Sequence, residues 1–459
     1  MKKSEWIYLP VEVQVREFDS RLLLACCAAE KGYEVVLGKK RDLAGAYKYF
    51  PRGLLVDKSI SVRRGDQFSR LKENGFDISV SEEESQGAYA NPESFLNWRM
   101  SSTNLRLIDC YFSWGRMQSE LIKSRYPESS DKVLTVGSPR FDLCRMEYRR
   151  LFQEAVSDIT RKYGKVILFN SIFSSVLNYR GGRSFHRQLL ERVGAITDSA
   201  SAEYYEGKFD HLQKNFRHCG NVFRIVTEAF PEHTLIIRPH PGDDRGLWRE
   251  LIDRIPNAEV VHEGNIIPWL IAADGIFHHG STSAVESQLL GKACISFLPY
   301  YNSTYDDWLP NQIGPVAYDT DQLIGYLQDA ISGRELKYQP VADLGDYIFT
   351  DKRLASDRIV EVILNKDYPK DRLLRPLRIG KYLLSLVNAR AKEIRKRVRS
   401  RGVANSTLGS EQSMWRDLSE HDVKKRLQIL REASGRFSDL TVRRITKQIF
   451  VVRKEATHN

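Results

Sequence analysis

The chain of 459 residues, 42% hydrophobic and 28% charged, is a water-soluble globular make-up too long for one simple core. No stretch approaches the ~20 apolar residues of a membrane span, and six scattered cysteines without a CxxC pair read as reduced thiols in a cytoplasmic protein. The net charge of +11 is uneven: residues 370–459 hold 23 Lys/Arg against 9 Asp/Glu, so the first 369 are slightly acidic and do not point to nucleic acid.

The start, MKKSEWIYLP, does not read as a signal peptide, because Glu5 and Pro10 break its apolar run. Residues 6–15 open as an apolar strand, 16–31 as a helix, and Gly32 stops it before a strand at 33–37. This beta-alpha-beta opening predicts a parallel, doubly wound sheet. Further strands are expected at 53–56, 77–80, 111–113 and 132–136, with helices at 93–104 and 116–124 and a polar helix to about 162. A second series begins with a strand at 165–170 and a helical region at 184–230. A strand at 233–238 follows, ending in the loop PHPGDD, then a helix at 246–255 and a strand at 259–262. After a helix near 266–273 comes DGIFHHGSTSAVESQLLGKACISF, residues 274–297, read as strand, turn, helix and strand. Closing helices are expected at 321–332 and 355–364.

The fold class expected is therefore α/β, two Rossmann-like domains at 1–160 and 161–368 facing a cleft, followed by a basic helical tail at 369–459. Ligands of such sheets bind at the carboxyl ends of the strands. Residues 370–403 carry 12 Lys/Arg against two acids, with leucines interleaved. That segment suits an anionic membrane surface or a helix packed on the body. Residues 404–413 read as a linker and 414–450 as a short helical, basic unit.

Two stretches could carry chemistry. The turn Gly280, Ser281, Thr282, leading into a helix from Ser283, offers backbone N–H groups and a positive helix end to a phosphate. The same residues also read as a capping box, Ser283-x-x-Glu286. The second stretch is Arg238-Pro239-His240-Pro241, where two prolines hold His240 in an extended loop and Arg238 adds charge. No metal-ligand spacing is evident: His278 and His279 are adjacent and would face opposite ways in a strand, so neither metal nor cofactor is expected.

RPHP followed by HHGSTSAVESQLLGKACISF resembles the nucleotide half of a GT-B glycosyltransferase, similar to the HP and Ser/Thr motifs of bacterial sialyltransferases and Kdo transferases. YLPVEVQVREFDSRLLLACCAAEKGYEVVLG, VGSPRFDL and LPNQIG resemble the bacterial surface carbohydrate biosynthesis proteins, over most of residues 6–365. The resemblance implies that His240 with Pro241, and Ser281, Thr282 and Ser283, hold a nucleotide phosphate. It implies that Glu286 accepts ribose hydroxyls, with Asn170 and Ser171 lining the pocket. A catalytic carboxylate would come from Glu17, Asp19 or Glu83. Glu17 and Asp19 equally suit a helix N-terminus, and Glu82-Glu83-Glu84 has Ser85 where the related transferases have glycine.

The function implied is transfer of a sugar, Kdo or a related acidic sugar from a CMP donor, to a lipid-linked glycan at the inner face of the cytoplasmic membrane. The alternatives are a UDP-linked nucleotide-sugar 2-epimerase, a CDP-alcohol phosphotransferase, or a non-enzymatic nucleotide-sugar-binding scaffold.

Overall fold

The computed structural model describes residues 6–83, 92–366, 380–381, 415 and 417–455. The chain forms two compact units. The first comprises Met1–Glu84, Met100–Leu143 and Ile348–Asn459, and the second Ser85–Arg99 and Cys144–Tyr347. Each is a Rossmann-like α/β fold, as the alternating strand and helix patterns require.

In the first unit, strands β1 (Trp6–Val11), β2 (Glu34–Lys39), β3 (Leu54–Asp57), β4 (Asp77–Ser81), β5 (Cys110–Ser113) and β6 (Val133–Thr135) run parallel in the order β2-β1-β3-β4-β5-β6. Covered on both faces, they read as continuous apolar runs rather than alternating ones. Helix Gln14–Glu30 is buried along Leu22–Ala29, which explains why LLLACCAA has no polar face. VGSPRFD forms a clasp rather than a site. Asp142 accepts from the Ala355 and Ser356 amides at 2.8 and 2.9 Å, capping helix Ala355–Asn365, and Arg358 Nε donates to the Val136 carbonyl at 2.7 Å. Gly137 (φ +83°) sits where a Cβ would lie 2.5 Å from the Phe349 carbonyl oxygen.

The end of the chain differs from the expected helical tail. Helix Glu420–Ser434 is followed by a hairpin, β13 (Leu440–Thr446) and β14 (Ile449–Lys454), and β14 pairs antiparallel with β2. The first sheet thus has eight strands, with β13 at its edge. Phe450 and Trp415 both pack on Phe18, with ring centroids 6.1 and 6.3 Å away. Arg436 bridges Glu30 (2.6 Å) and Asp357 (2.8 Å). Apolar burial and this shared cation hold the segment to the unit. The expected amphipathic stretch at 370–403 and the linker at 404–413 lie outside the described residues, apart from 380–381.

In the second unit, β7 (Lys165–Ser171), β8 (His233–Arg238), β9 (Ala258–Val260), β10 (Gly275–His279), β11 (Ile295–Phe297) and β12 (Val316–Ala317) are all parallel, in the order β12-β11-β10-β7-β8-β9. Helix Ser199–Ala229 lies on one face. There Phe169, Phe223, Phe277 and fully buried Trp248 share a core with Ile167, Leu235 and Ile237. From β7 the chain winds outward to β8 and β9, then returns to the other side of β7 for β10. The crevice opened by that reversal, at the carboxyl ends of β7 and β10, is where doubly wound sheets take their ligands.

Candidate functional site

Strand register puts the expected nucleotide-binding residues at this reversal. Asn170 is the partner of His278 on one side and of Arg238 on the other, and Ser171 is the partner of His279. Because side chains alternate, Ser171 and His279 share the face of Phe169 and Phe277, beneath helix Ser199–Ala229. Asn170, His278 and Arg238 share the opposite face. The Asn170 amide nitrogen and Ser171 hydroxyl are buried with no hydrogen-bond partner among the described residues.

The turn after β10 is braced from within. Gly280 has φ +62°, and a Cβ there would meet the Ile172 side chain at 2.8 Å and Trp308 at 3.4 Å, so any other residue is strained by the backbone and must push Ile172 aside. His278 Nδ1 accepts from the Ser281 amide at 3.0 Å, which places the ring proton on Nε2, 2.9 Å from Ser296 Oγ. Burial, and then His279, push the His278 pKa down to about 3, so this ring is neutral. The expected capping box does not form. Thr282 occupies the cap position without a side-chain cap bond, and helix Ser283–Leu289 starts one residue earlier than a Ser283 cap requires. Ser283 Oγ instead meets Ser281 Oγ at 2.9 Å. Glu286 is set inward, 1% exposed; with burial, its charge raises the Cys294 thiol pKa.

The loop after β8 divides its charges. Arg238 was expected to face a phosphate, but its Nη1 and Nη2 donate to the Glu263 and Gly264 carbonyls at 2.7 and 3.1 Å. Its guanidinium also lies 5.1 Å from the Trp269 ring centre. Side-chain alternation turns it toward the loop after β9, which it braces. His240 is exposed beside exposed Pro241. Its Nδ1 accepts from the Gly242 amide at 3.1 Å, leaving Nε2 as the donor nitrogen. The Tyr179 amide donates to the Gly242 carbonyl at 3.1 Å, and Asn178 bridges Asp243, so the loops after β7 and β8 are joined.

Two features of this edge were not read from the sequence. Asp243 is buried, its Oδ2 accepting from Trp248 Nε1 (3.0 Å) and the His240 amide (3.2 Å). Burial pushes its pKa up to about 7 against those two donors. The second feature joins His211, His279 and Asp306. Their ligand-capable atoms lie within 4.8 Å of one another, although His211 and Asp306 are 95 positions apart. PGDD and HH were visible as motifs, but neither spacing nor periodicity links a helix interior to a strand end and a later short helix.

The acids expected to be catalytic belong to the first unit. Glu17 is fully buried and accepts from Lys58 Nζ (2.7 Å), Arg16 Nη2 (3.0 Å) and the Glu12 amide (2.8 Å). Burial alone would raise its pKa, but Lys58 and then Arg16 outweigh that and lower it. Glu12 also contacts Lys58, at 2.9 Å; against burial, Lys58 and Lys40 draw its pKa down to about 2. Glu12 and Lys58 follow β1 and β3, where the first sheet reverses its winding. Glu83 lies 2.9 Å from buried Arg21. Held as an anion by Lys58 and Arg16, Glu17 is a poor proton acceptor. Asp19, two residues round the helix from Glu17, instead pairs with Arg426 at 2.8 Å.

No protein-family model matches the chain, and no curated protein matches it. Among solved structures, it is similar to a protein from Listeria monocytogenes described as a UDP-N-acetylglucosamine 2-epimerase. That match has TM-score 0.48 and 10% identity, over 82% of this chain and all of the other. A Neisseria meningitidis UDP-GlcNAc 2-epimerase bound to UDP-GlcNAc gives TM-score 0.45 and 12% identity, over 79% and 99%. The wall teichoic acid polymerase TagF gives 0.36 and 13%, over 63% and 68%. Likeness this remote assigns neither substrate nor reaction.

Proposed function

We propose that the chain is an enzyme acting on a nucleotide sugar in surface-glycan assembly, and that the second unit holds the nucleotide at the β7/β10 reversal. The observation that carries this reading is the placement of Asn170, Ser171 and the Gly280–Ser283 turn at the strand ends of that reversal, joined through the loop after β7 to exposed His240. Ligands of doubly wound sheets bind there. A hydroxyl-rich turn and an imidazole donor suit a phosphate without a metal bound to it.

The reaction proposed is glycosyl transfer from a CMP-linked acidic sugar such as Kdo to a lipid-linked acceptor. Arg238 is committed to the Glu263 and Gly264 carbonyls, so phosphate charge at this edge falls to His240, hydroxyls and amides. A departing monophosphate makes a smaller demand on such groups than a diphosphate does. Asp243, poised near neutrality behind His240, is the carboxyl of this loop suited to proton movement. The basic segment 370–403 is proposed to address an anionic membrane face. Among the described residues no helix is long and apolar enough to cross a membrane.

Calorimetric titration with CMP and UDP tests the reading. Micromolar CMP binding that His240→Ala weakens at least tenfold supports it. UDP preference, with interconversion of a UDP-sugar at C2, would replace transfer by epimerisation. Affinity unchanged in His240→Ala would sink the site.

A further inference from the structure

His211, His279 and Asp306 reach one point from three elements of the second unit: helix Ser199–Ala229, the end of β10, and the short helix Ser303–Asp306 after β11. We propose that they bind one divalent transition-metal ion, Zn2+ by preference, through one imidazole nitrogen from each histidine and a carboxylate oxygen of Asp306.

His279 is 3% exposed, yet neither ring nitrogen has a hydrogen-bond partner among the described residues. A buried imidazole is seldom left so, because its lone pair has given up water for nothing. A metal ion would use that lone pair. An ion bound at ~2.0–2.2 Å sets neighbouring ligand atoms ~3–3.5 Å apart, and His211 Nε2 already lies 3.0 Å from Asp306 Oδ1. The outer partners are also in place. Asp306 Oδ2 accepts from the Asn302 amide at 2.9 Å, orienting the carboxylate. Phe173 stacks on His279 at 4.9 Å and Tyr305 lies tilted against His211 at 5.4 Å, so aromatic rings flank both imidazoles. The hydroxyl of Ser171, the register partner of His279, is another unpartnered polar group on that face.

Two imidazoles and one carboxylate suit Zn2+, Co2+, Fe2+ or Mn2+ over Mg2+ and Ca2+, which take oxygen ligands. On binding, the His211 Nε2 lone pair turns to the metal, and the proton shared with Asp306 moves to Nδ1 or leaves to solvent. The ion would tie the end of β10, and so the Gly280 turn, to the long helix behind it. This inference stands apart from the nucleotide reading, since the ion need not touch a substrate.

The test uses the full-length, tag-free chain, stripped with a chelator and titrated with Zn2+ and Co2+. Saturable uptake of one equivalent, a visible Co2+ absorption band and a raised melting temperature are expected. His279→Ala and Asp306→Asn should each weaken uptake by about 100-fold or more, beyond the loss typical of an outer partner. No saturable uptake by the wild-type chain, or uptake unchanged in a folded His279→Ala variant, would overturn the proposal. Where the variants fail to fold, X-ray absorption of the metal-loaded wild-type chain decides: two imidazole ligands support the site, and fewer overturn it.

Discussion

The buried carboxyl of Asp243 ties local chemistry to global stability. With a folded pKa of about 7 against an ordinary 3.8, it stays protonated in the fold while the unfolded chain ionises. Stability therefore falls as pH rises from about 4 to 7 and is level above that. Relative to Asp243→Asn, the wild-type chain should lose on the order of 3 kcal/mol across this window. Urea unfolding of both at pH 4.5 and 7.5 measures it, and parallel changes would contradict the assignment. Lys58 instead stabilises a buried charge, that of Glu17. Removing its charge with Lys58→Met leaves buried Glu17 only the Arg16 cation and the Glu12 amide, at an expected cost of roughly 3–5 kcal/mol. The double variant Lys58→Met, Glu17→Gln should recover part of that loss, and additive losses would count against a coupled pair. Gly280→Ala combines a left-handed backbone with a 2.8 Å approach to Ile172. It should cost about 1–3 kcal/mol, seen as a lowered melting temperature together with weakened nucleotide binding.

Among the elements, the β14–β2 pairing makes the chain end part of the first unit rather than an appendage. Deleting residues 435–459 would bare the β2 edge and the apolar surface around Phe18, and would remove the Arg436 bridge to Glu30 and Asp357. A truncated chain should bind hydrophobic dye and associate on size-exclusion chromatography. A monomer with an unchanged melting temperature would contradict the pairing. The sequence carried this hairpin in a disguised form. Leu440 and Val442 alternate toward the core, but Arg443, Arg444 and Lys447 gave the segment a basic colouring that reads as a tail. Charged residues are what a sheet edge requires. The parallel strands were plain because burial on both faces leaves uninterrupted apolar runs. The site was legible only in part. GSTS and PHPG announce turns at strand ends, yet the direction of Arg238 follows from pleat parity and register. His211, His279 and Asp306 meet only because helix Ser199–Ala229 crosses the sheet at that level.

At the scale of the whole molecule, the excess of positive charge lies beyond residue 369. If residues 370–403 address a membrane, the full chain should bind vesicles containing phosphatidylserine at low salt and release them as ionic strength rises. A variant with the lysines and arginines of that segment neutralised should not bind. Vesicle binding unaffected by salt would contradict the electrostatic account. The central claim concerns the second unit, with its nucleotide at the β7/β10 reversal. Incubation of the full-length chain with a panel of CMP- and UDP-sugars, followed by titration of the released nucleotide into wild-type and His240→Ala protein, tests it most directly. The account predicts consumption of a CMP-sugar and CMP binding that fails in the variant; the absence of binding to either nucleotide, or equal affinity in both proteins, would contradict it.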